Sequence, residues 1–179
     1  LVAAPARFNP ASYVAVLGFA EEVGWGNRSL AYHAGRAIVD SGHIVLCGNT
    51  TSTFESALRG ANQAGGWSQV IIERDSKNTV PDYQACYRVK DAATKHRLLI
   101  NHSRAAVVIG GGPRTLKLVQ QLVSLDRIVV AIEGTGGVVR RELPSNVIRA
   151  ENAATAVAFV SERLAKGWRA VLERMANRC

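Results

Sequence analysis

HRLLINHSRAAVVIGGGPRTLKLVQQLVSLDRIVVAI, residues 96–132, holds the pattern that decides the fold. It leads out of a basic segment into the apolar run Arg104–Ile109, then three successive glycines, an amphipathic stretch Thr115–Ser124, and a second apolar run Arg127–Ile132. Strand, glycine turn, helix and strand in that order is a crossover between parallel strands, with the helix laid back on the sheet in a right-handed sense. The three glycines permit positive φ and close backbone approach, and Pro113 removes one N–H donor. Thr115 reads as an N-cap that can also reach a phosphate oxygen.

The same alternation extends in both directions. Toward the N-terminus, Tyr13–Leu17 reads as a strand ending at Gly18, and Asn27–Asp40 as a helix with Leu30, Ala34, Ala37 and Ile38 on one face, stopped by Gly42. His43–Cys47 is the next strand, and Ser52–Ala64 the next helix, opened by the capping-box spacing of Ser52 and Glu55 and closed by Gly65 and Gly66. Gln69–Glu73 reads as a third strand, Arg74–Tyr87 as a surface loop without a period, and Asp91–Asn101 as a helix. Toward the C-terminus, GTGG at Gly134–Gly137 is a turn and Asn146–Arg149 a short strand. A helix from Asn152 carries Val157, Val160, Leu164, Trp168, Val171, Leu172 and Met175 at three- and four-residue steps, with Glu162–Lys166 and Arg169–Glu173 on its polar face. Apolar strands alternating with amphipathic helices predict an α/β fold: three layers, with an open, mostly parallel sheet between helices. Residues 1–12 read as an N-terminal extension and 13–179 as one domain.

Composition narrows the function classes. In 179 residues, 47% hydrophobic and 20% charged is the balance of a globular chain, which excludes extensive disorder. The longest apolar stretches are about five residues, against the ~20 a membrane span requires. The first twelve residues, LVAAPARFNPAS, lack the basic start and unbroken apolar run of a signal peptide. Cys47, Cys86 and Cys179 form no CxxC pair, and an odd count argues against a disulfide framework, so a cytoplasmic location is expected. His33, His43, His96 and His102 show no HxxxH or HExxH spacing, and no metal is expected. A net charge of +8 favours anionic partners, among them nucleotides, phosphorylated metabolites and nucleic acid.

In a parallel sheet every strand ends on the same edge, where ligands bind. Four segments arrive there: Gly18–Asn27, Gly48–Ser52, Gly110–Thr115 and Glu133–Gly137. Glycines and small hydroxyl residues after a strand and before a helix leave N–H groups that favour an anion. The candidate ligand contacts are therefore Gly18, Gly48, Asn49, Thr50, Gly110, Gly111, Gly112, Arg114 and Thr115. No segment matches GxGxxG or GxxxxGK[ST].

Residues 96–132 resemble the part of LOG-like proteins of the SLOG superfamily, often labelled "possible lysine decarboxylase", in which an Arg precedes a strand and the motif PGGxGTxxE. CGNTTSTFESALRGANQAGG, residues 47–66, is similar to that family's other glycine turn and helix, and VAVLG, residues 14–18, to its first strand. The resemblance implies a Rossmann-like fold, a homo-oligomer (dimer or tetramer), and a pocket for a nucleoside monophosphate or similar phosphorylated ligand. Family enzymes cleave the N-glycosidic bond of nucleotides, with the motif's Arg and Glu carrying the chemistry. Position by position, the Arg falls on Arg97, the motif glycines on Gly111 and Gly112, and the Thr on Thr115. Gly110 stands for the Pro, Arg114 for a third glycine, and Leu118 for the Glu. In the other turn Gly48 is kept, while Asn49, Thr50, Ser52 and Thr53 stand where glycines or apolar residues are expected.

Glycosidic cleavage passes through a cationic state that a carboxylate stabilises, and Leu118 cannot do this. The expected function is thus binding of a phosphorylated nucleotide-like ligand without phosphoribohydrolase activity. A molybdopterin-type ligand fits, since a molybdenum-cofactor carrier is one use of this fold without glycosidase chemistry. One alternative is a hydrolase of nucleoside monophosphates, with Arg97 and the strand-end Glu133 as catalytic residues; Glu21 and Glu22 on the first loop could instead face a ribose. Another is single-stranded nucleic-acid binding, because KHRLLINHS, residues 95–103, is similar to a segment of DNA-processing protein A. Arg97 itself has two readings, a phosphate contact or one member of a solvated basic face between Arg88 and Arg104. Arg114 either contacts phosphate or plugs the pocket.

Overall fold

The computed structural model describes residues 11–21, 23–77, 79–80, 85–141 and 143–176. Along the chain lie β1 (Tyr13–Gly18), α1 (Trp25–Asp40), β2 (Ile44–Cys47), α2 (Thr53–Gln63), β3 (Ser68–Glu73), β4 (Ala85–Val89) and α3 (Ala92–His102). They are followed by β5 (Ala105–Ile109), α4 (Pro113–Ser124), β6 (Ile128–Ile132), α5 (Val138–Arg141), β7 (Ile148–Ala150) and α6 (Ala153–Ala176). The strands form one parallel sheet in the order β4-β3-β2-β1-β5-β6-β7. The chain builds outward from β1 on one side, then returns to β5 on its other side. The switch point therefore lies between the C-terminal ends of β1 and β5, where the register aligns Gly18 with Ile109.

Strand alternation divides the core into two layers. Val14, Val16, Val45, Cys47, Val107 and Ile109 face α1, α2 and α6, packing with Ala34, Ile38, Ala57, Ala61, Val157 and Val160. Ala15, Leu17, Leu46, Ala106 and Val108 face the opposite layer, with Leu99 of α3, Val119 and Leu122 of α4, and Val139 of α5. In the first layer α1 and α2 lie against each other almost backbone to backbone. A Cβ on Gly35 would fall onto the carbonyl of Ala57, and one on Gly60 onto the carbonyl of Tyr32.

Local chemistry sets the helix ends. Asp91 caps α3 by accepting from the Thr94 N–H at 2.7 Å, and Asn152 accepts from the Thr155 N–H at 2.9 Å ahead of α6. The end of α4 is a Schellman turn: the Asp126 N–H donates to Val123 and the Arg127 N–H to Leu122, both at 3.0 Å, with Asp126 at φ 53° in the place usually held by glycine. On α6, Glu162 pairs with Lys166 as the i,i+4 spacing predicts.

Four expectations are corrected. The stretch read as loop, Arg74–Tyr87, ends in a strand instead: β4 begins at Ala85 and runs on to Val89, an edge strand whose first four residues are exposed. The four-residue helix α5 follows the GTGG turn. Ser52 precedes α2 at φ 53° with no side-chain cap bond, so the capping box with Glu55 does not form. Thr115 is not an N-cap: Gly112 holds that position and Pro113 opens α4, the place where a missing N–H costs nothing. Residues 1–10 of the expected N-terminal extension, with Glu22 and Cys179, lie outside the described residues. Among the described residues no helix is long and apolar enough to cross a membrane, and no group of three or more His, Cys, Asp or Glu is placed to hold a metal.

Candidate functional site

The turns after β1, β5 and β6 are sewn together behind the switch point. The Gly110 N–H donates to Thr135 Oγ1 at 2.9 Å, and that hydroxyl donates to the Ile132 carbonyl at 2.7 Å. Asn27 Nδ2 donates to the Thr135 carbonyl at 3.0 Å, and the Val138 N–H to the Gly111 carbonyl at 3.0 Å. Thr115 Oγ1 donates to the Gly18 carbonyl at 3.1 Å, tying the first turn of α4 to the end of β1. Gly110 at φ 66° and Gly111 at φ 99° adopt conformations that side chains avoid. A Cβ on Gly110 would meet the ring of Phe19, and one on Gly111 the side chain of Thr115.

In front of this framework, a cavity of about 100 Å³ lies between β1, the start of α2, α3 and α4. Gly18, Gly48, Asn49 and Phe54 line it on one side, and Lys95, His96, Arg114, Thr115 and Leu118 on the other. His96, Arg114 and Leu118 also line a wider groove of about 670 Å³ between α3 and α4, which adds Arg97, Asn101, Lys117 and Leu125. Although the groove is larger, the inner cavity is the stronger candidate for a ligand site, because it sits at the switch point where strand ends and helix N-termini converge. Among the described residues, no Asp or Glu lines either space.

A carboxylate is tied to this cluster through Lys95: Glu73, at the end of β3. Lys95 Nζ lies 2.8 Å from Glu73 Oε1. The hydrogen bond and charge of Lys95, with smaller contributions from His96 and Arg114, hold the Glu73 carboxyl below the usual carboxylate range. Burial pushes the His96 imidazole below its ordinary value, and the charges of Lys95 and Arg114 act in the same direction.

The remaining sequence candidates separate into three groups. Gly18, Gly48, Asn49, Arg114 and Thr115 come together around the inner cavity. Thr115 spends its proton on Gly18, leaving only acceptor capacity toward a ligand, and Arg114, exposed, forms a wall common to cavity and groove. Arg97 is exposed and lines only the groove. Gly110, Gly111, Gly112 and Thr50 line neither space; Thr50 is buried, its N–H donating to Asn49 Oδ1 at 2.7 Å. Glu133 is exposed on the turn after β6, its N–H donating to the Ala150 carbonyl at 2.8 Å, and it too lines neither space. Lys95, His96 and Glu73 were not anticipated. The signal for Lys95 was its position one helical turn before Leu99, whose apolar side chain faces the core.

A family model described as the SLOG cluster4 family matches residues 11–164. The chain belongs to the SLOG cluster4 family. Its likeness to an uncharacterised protein of Archaeoglobus fulgidus is 28% identity over 88 residues, 49% of this chain and 58% of that protein, so the match spans little more than half of the relative. Among solved structures, the molybdenum cofactor binding protein of Rippkaea orientalis superposes with a TM-score of 0.76 at 20% identity, covering 86% of this chain and 98% of that one. The molybdenum cofactor carrier protein of Chlamydomonas reinhardtii gives 0.74 at 22%, covering 86% and 98%. DNA processing protein A of Streptococcus pneumoniae gives 0.66 at 14%, covering 83% of this chain and 61% of that one. At these identities the likeness shows the fold, a Rossmann-like parallel sheet of the LOG type.

Proposed function

We propose that this SLOG cluster4 protein binds a phosphorylated nucleotide-like ligand in the crevice between β1 and β5, and does not cleave it. One observation carries the reading: Lys95, His96, Arg97, Arg114 and Lys117 line the cavity and groove, and among the described residues no carboxylate lines either. The lysine and arginine charges among them, gathered beside two helix N-termini, favour phosphate. The phosphate sits against Arg114 and Lys95 at the inner cavity, and the planar part of the ligand extends into the α3–α4 groove past Leu118. Leu118 occupies the wall where the resemblance places the hydrolase glutamate, so an oxocarbenium-like state finds no compensating charge there. Names of the structural neighbours make a pterin phosphate of the molybdenum-cofactor type the favoured ligand class, with nucleoside monophosphates next. The reading includes a homo-oligomer in a reducing, cytoplasmic setting; a monomer mass by light scattering would remove that part.

The test is a thermal-shift screen of nucleoside monophosphates, cyclic nucleotides and pterin phosphates. A saturating ligand is expected to raise the melting temperature by about 5 °C, through binding to the native state alone. Arg114→Gln and Lys95→Gln should abolish the shift. Release of free base from a nucleoside monophosphate by the wild-type protein would overturn the reading, as would shifts unchanged in both variants.

A further inference from the structure

At the opposite edge of the sheet, where the strands begin, a groove of about 430 Å³ runs between the starts of β5 and β6 and the second half of α6. Three arginines line it: Arg104 just before β5, Arg127 just before β6, and Arg163 on α6. Its remaining wall is apolar, formed by Ile128, Leu164, Val171 and the half-buried Trp168. Among the described residues, Asp126 is the one carboxylate that lines it.

Two features separate this groove from a merely basic surface. First, the arginines are not spent on carboxylates. Among the described residues neither Arg104 nor Arg127 enters an ion pair, and Arg127 Nε is buried without a hydrogen-bond partner. The Arg127 guanidinium thus has donor capacity that no described protein acceptor takes up. Second, the positions are held. The backbone of Arg127 is locked by the Schellman turn that closes α4, and the Arg163 guanidinium lies 5.0 Å from the ring centroid of Phe159, a cation–π arrangement one turn away on α6. Asp126 is held in the left-handed conformation by the same turn and pairs with none of the three arginines.

We infer that this groove is a second binding site, for a nucleotide unit, with the phosphate on Arg104 and Arg127 and the base against Trp168. Guanidinium forks match phosphate oxygens in pairs, an indole offers a stacking face to any base, and a space of this size suits one nucleotide. An acidic peptide would use the arginines but has no need of an aromatic wall. The site is separate from the β1–β5 crevice and does not depend on what that crevice binds.

Trp25 and Trp67 are 83% and 78% exposed, so a W25F/W67F protein should fold and leave Trp168 as the sole indole reporter. Its fluorescence is titrated at low salt with AMP, with a twelve-residue oligodeoxythymidylate and with polyglutamate. Quenching by AMP identifies a free nucleotide as the source, and quenching by the oligomer alone identifies a single strand, whose affinity should then fall steeply with salt. In either case Arg127→Gln and Arg104→Gln should weaken binding at least tenfold, while Arg114→Gln at the other edge leaves it unchanged. The proposal fails if neither nucleotide probe alters the emission, or if polyglutamate alone does. It also fails if the arginine variants bind as the parent does, or if Arg114→Gln removes the signal.

Discussion

At the start of α4, Gly110 and Gly111 take up the positive φ values, Thr115 bonds to Gly18, and the Gly110 N–H and Gly111 carbonyl are paired. At the start of α2, facing the same crevice, Ser52 sits at φ 53° and ψ −116°, and among the described residues the buried hydroxyls of Thr50, Ser52 and Thr53 have no partner. The resemblance expects glycines or apolar residues in that turn. At Ser52 the backbone takes a path that suits glycine better than serine, so the α2 turn carries strain and unmet hydrogen bonds that the α4 turn does not. The difference between the two turns is measurable as stability.

Breaking the α4 turn should have the largest effect. Gly111→Ala places a Cβ on Thr115 at φ 99°, and is expected to cost about 3 kcal/mol in urea unfolding or to prevent folding. The α2 turn should respond in the opposite direction. Ser52→Gly, measured the same way, is expected to gain about 1 kcal/mol by relieving the positive φ, and Thr53→Val a comparable amount by removing a fully buried, unpaired hydroxyl. A loss in either would mean that those hydroxyls are satisfied by ordered water.

Changing pH sharpens the contrast, because the α2 hydroxyls do not titrate. His43, buried at the start of β2 with neither ring nitrogen bonded, is held below its ordinary value by burial. Its unfolded form takes up a proton first, so stability is whole above the unfolded value near 6.5 and is lost as pH falls from there toward the lowered folded value. Unfolding midpoints from pH 7.5 to 5 should decline, His43→Phe should flatten the decline, and the Thr53→Val increment should be the same at every pH. The smallest effect belongs to the half-exposed pair that positions Lys95. Glu73→Gln should change stability by no more than a few tenths of a kcal/mol. Its visible consequence should instead be altered anion affinity at the inner cavity.

The parallel strands and long helices were legible because their residues are buried on one or both faces and so carry a period. Residues 85–89, ACYRV, are not legible as a strand because an edge strand exposed at its first four positions shows neither alternation nor an apolar run. Within the site, glycine turns were legible as turns but not as contacts. Sequence spacing does not reveal that Gly110 and Gly111 would be spent on Phe19, Thr135 and Thr115. The family motif points to Arg97, whereas helical phase turns Lys95, one turn before the buried Leu99, toward the cavity. Glu73 joined the cluster only through the pairing of β3 in space, which no local pattern records.

The contact between α1 and α2 has a consequence for how the molecule breathes. Gly35 lies on Ala57 and Gly60 on Tyr32, so neither helix can detach without exposing backbone that the other covers. The two should therefore open as one cooperative unit in native-state hydrogen exchange, with their central amides sharing a single opening free energy. A turn of α1 that exchanged faster than its neighbour in α2 would reveal slack at a glycine, the one kind of residue here with no side chain to take it up.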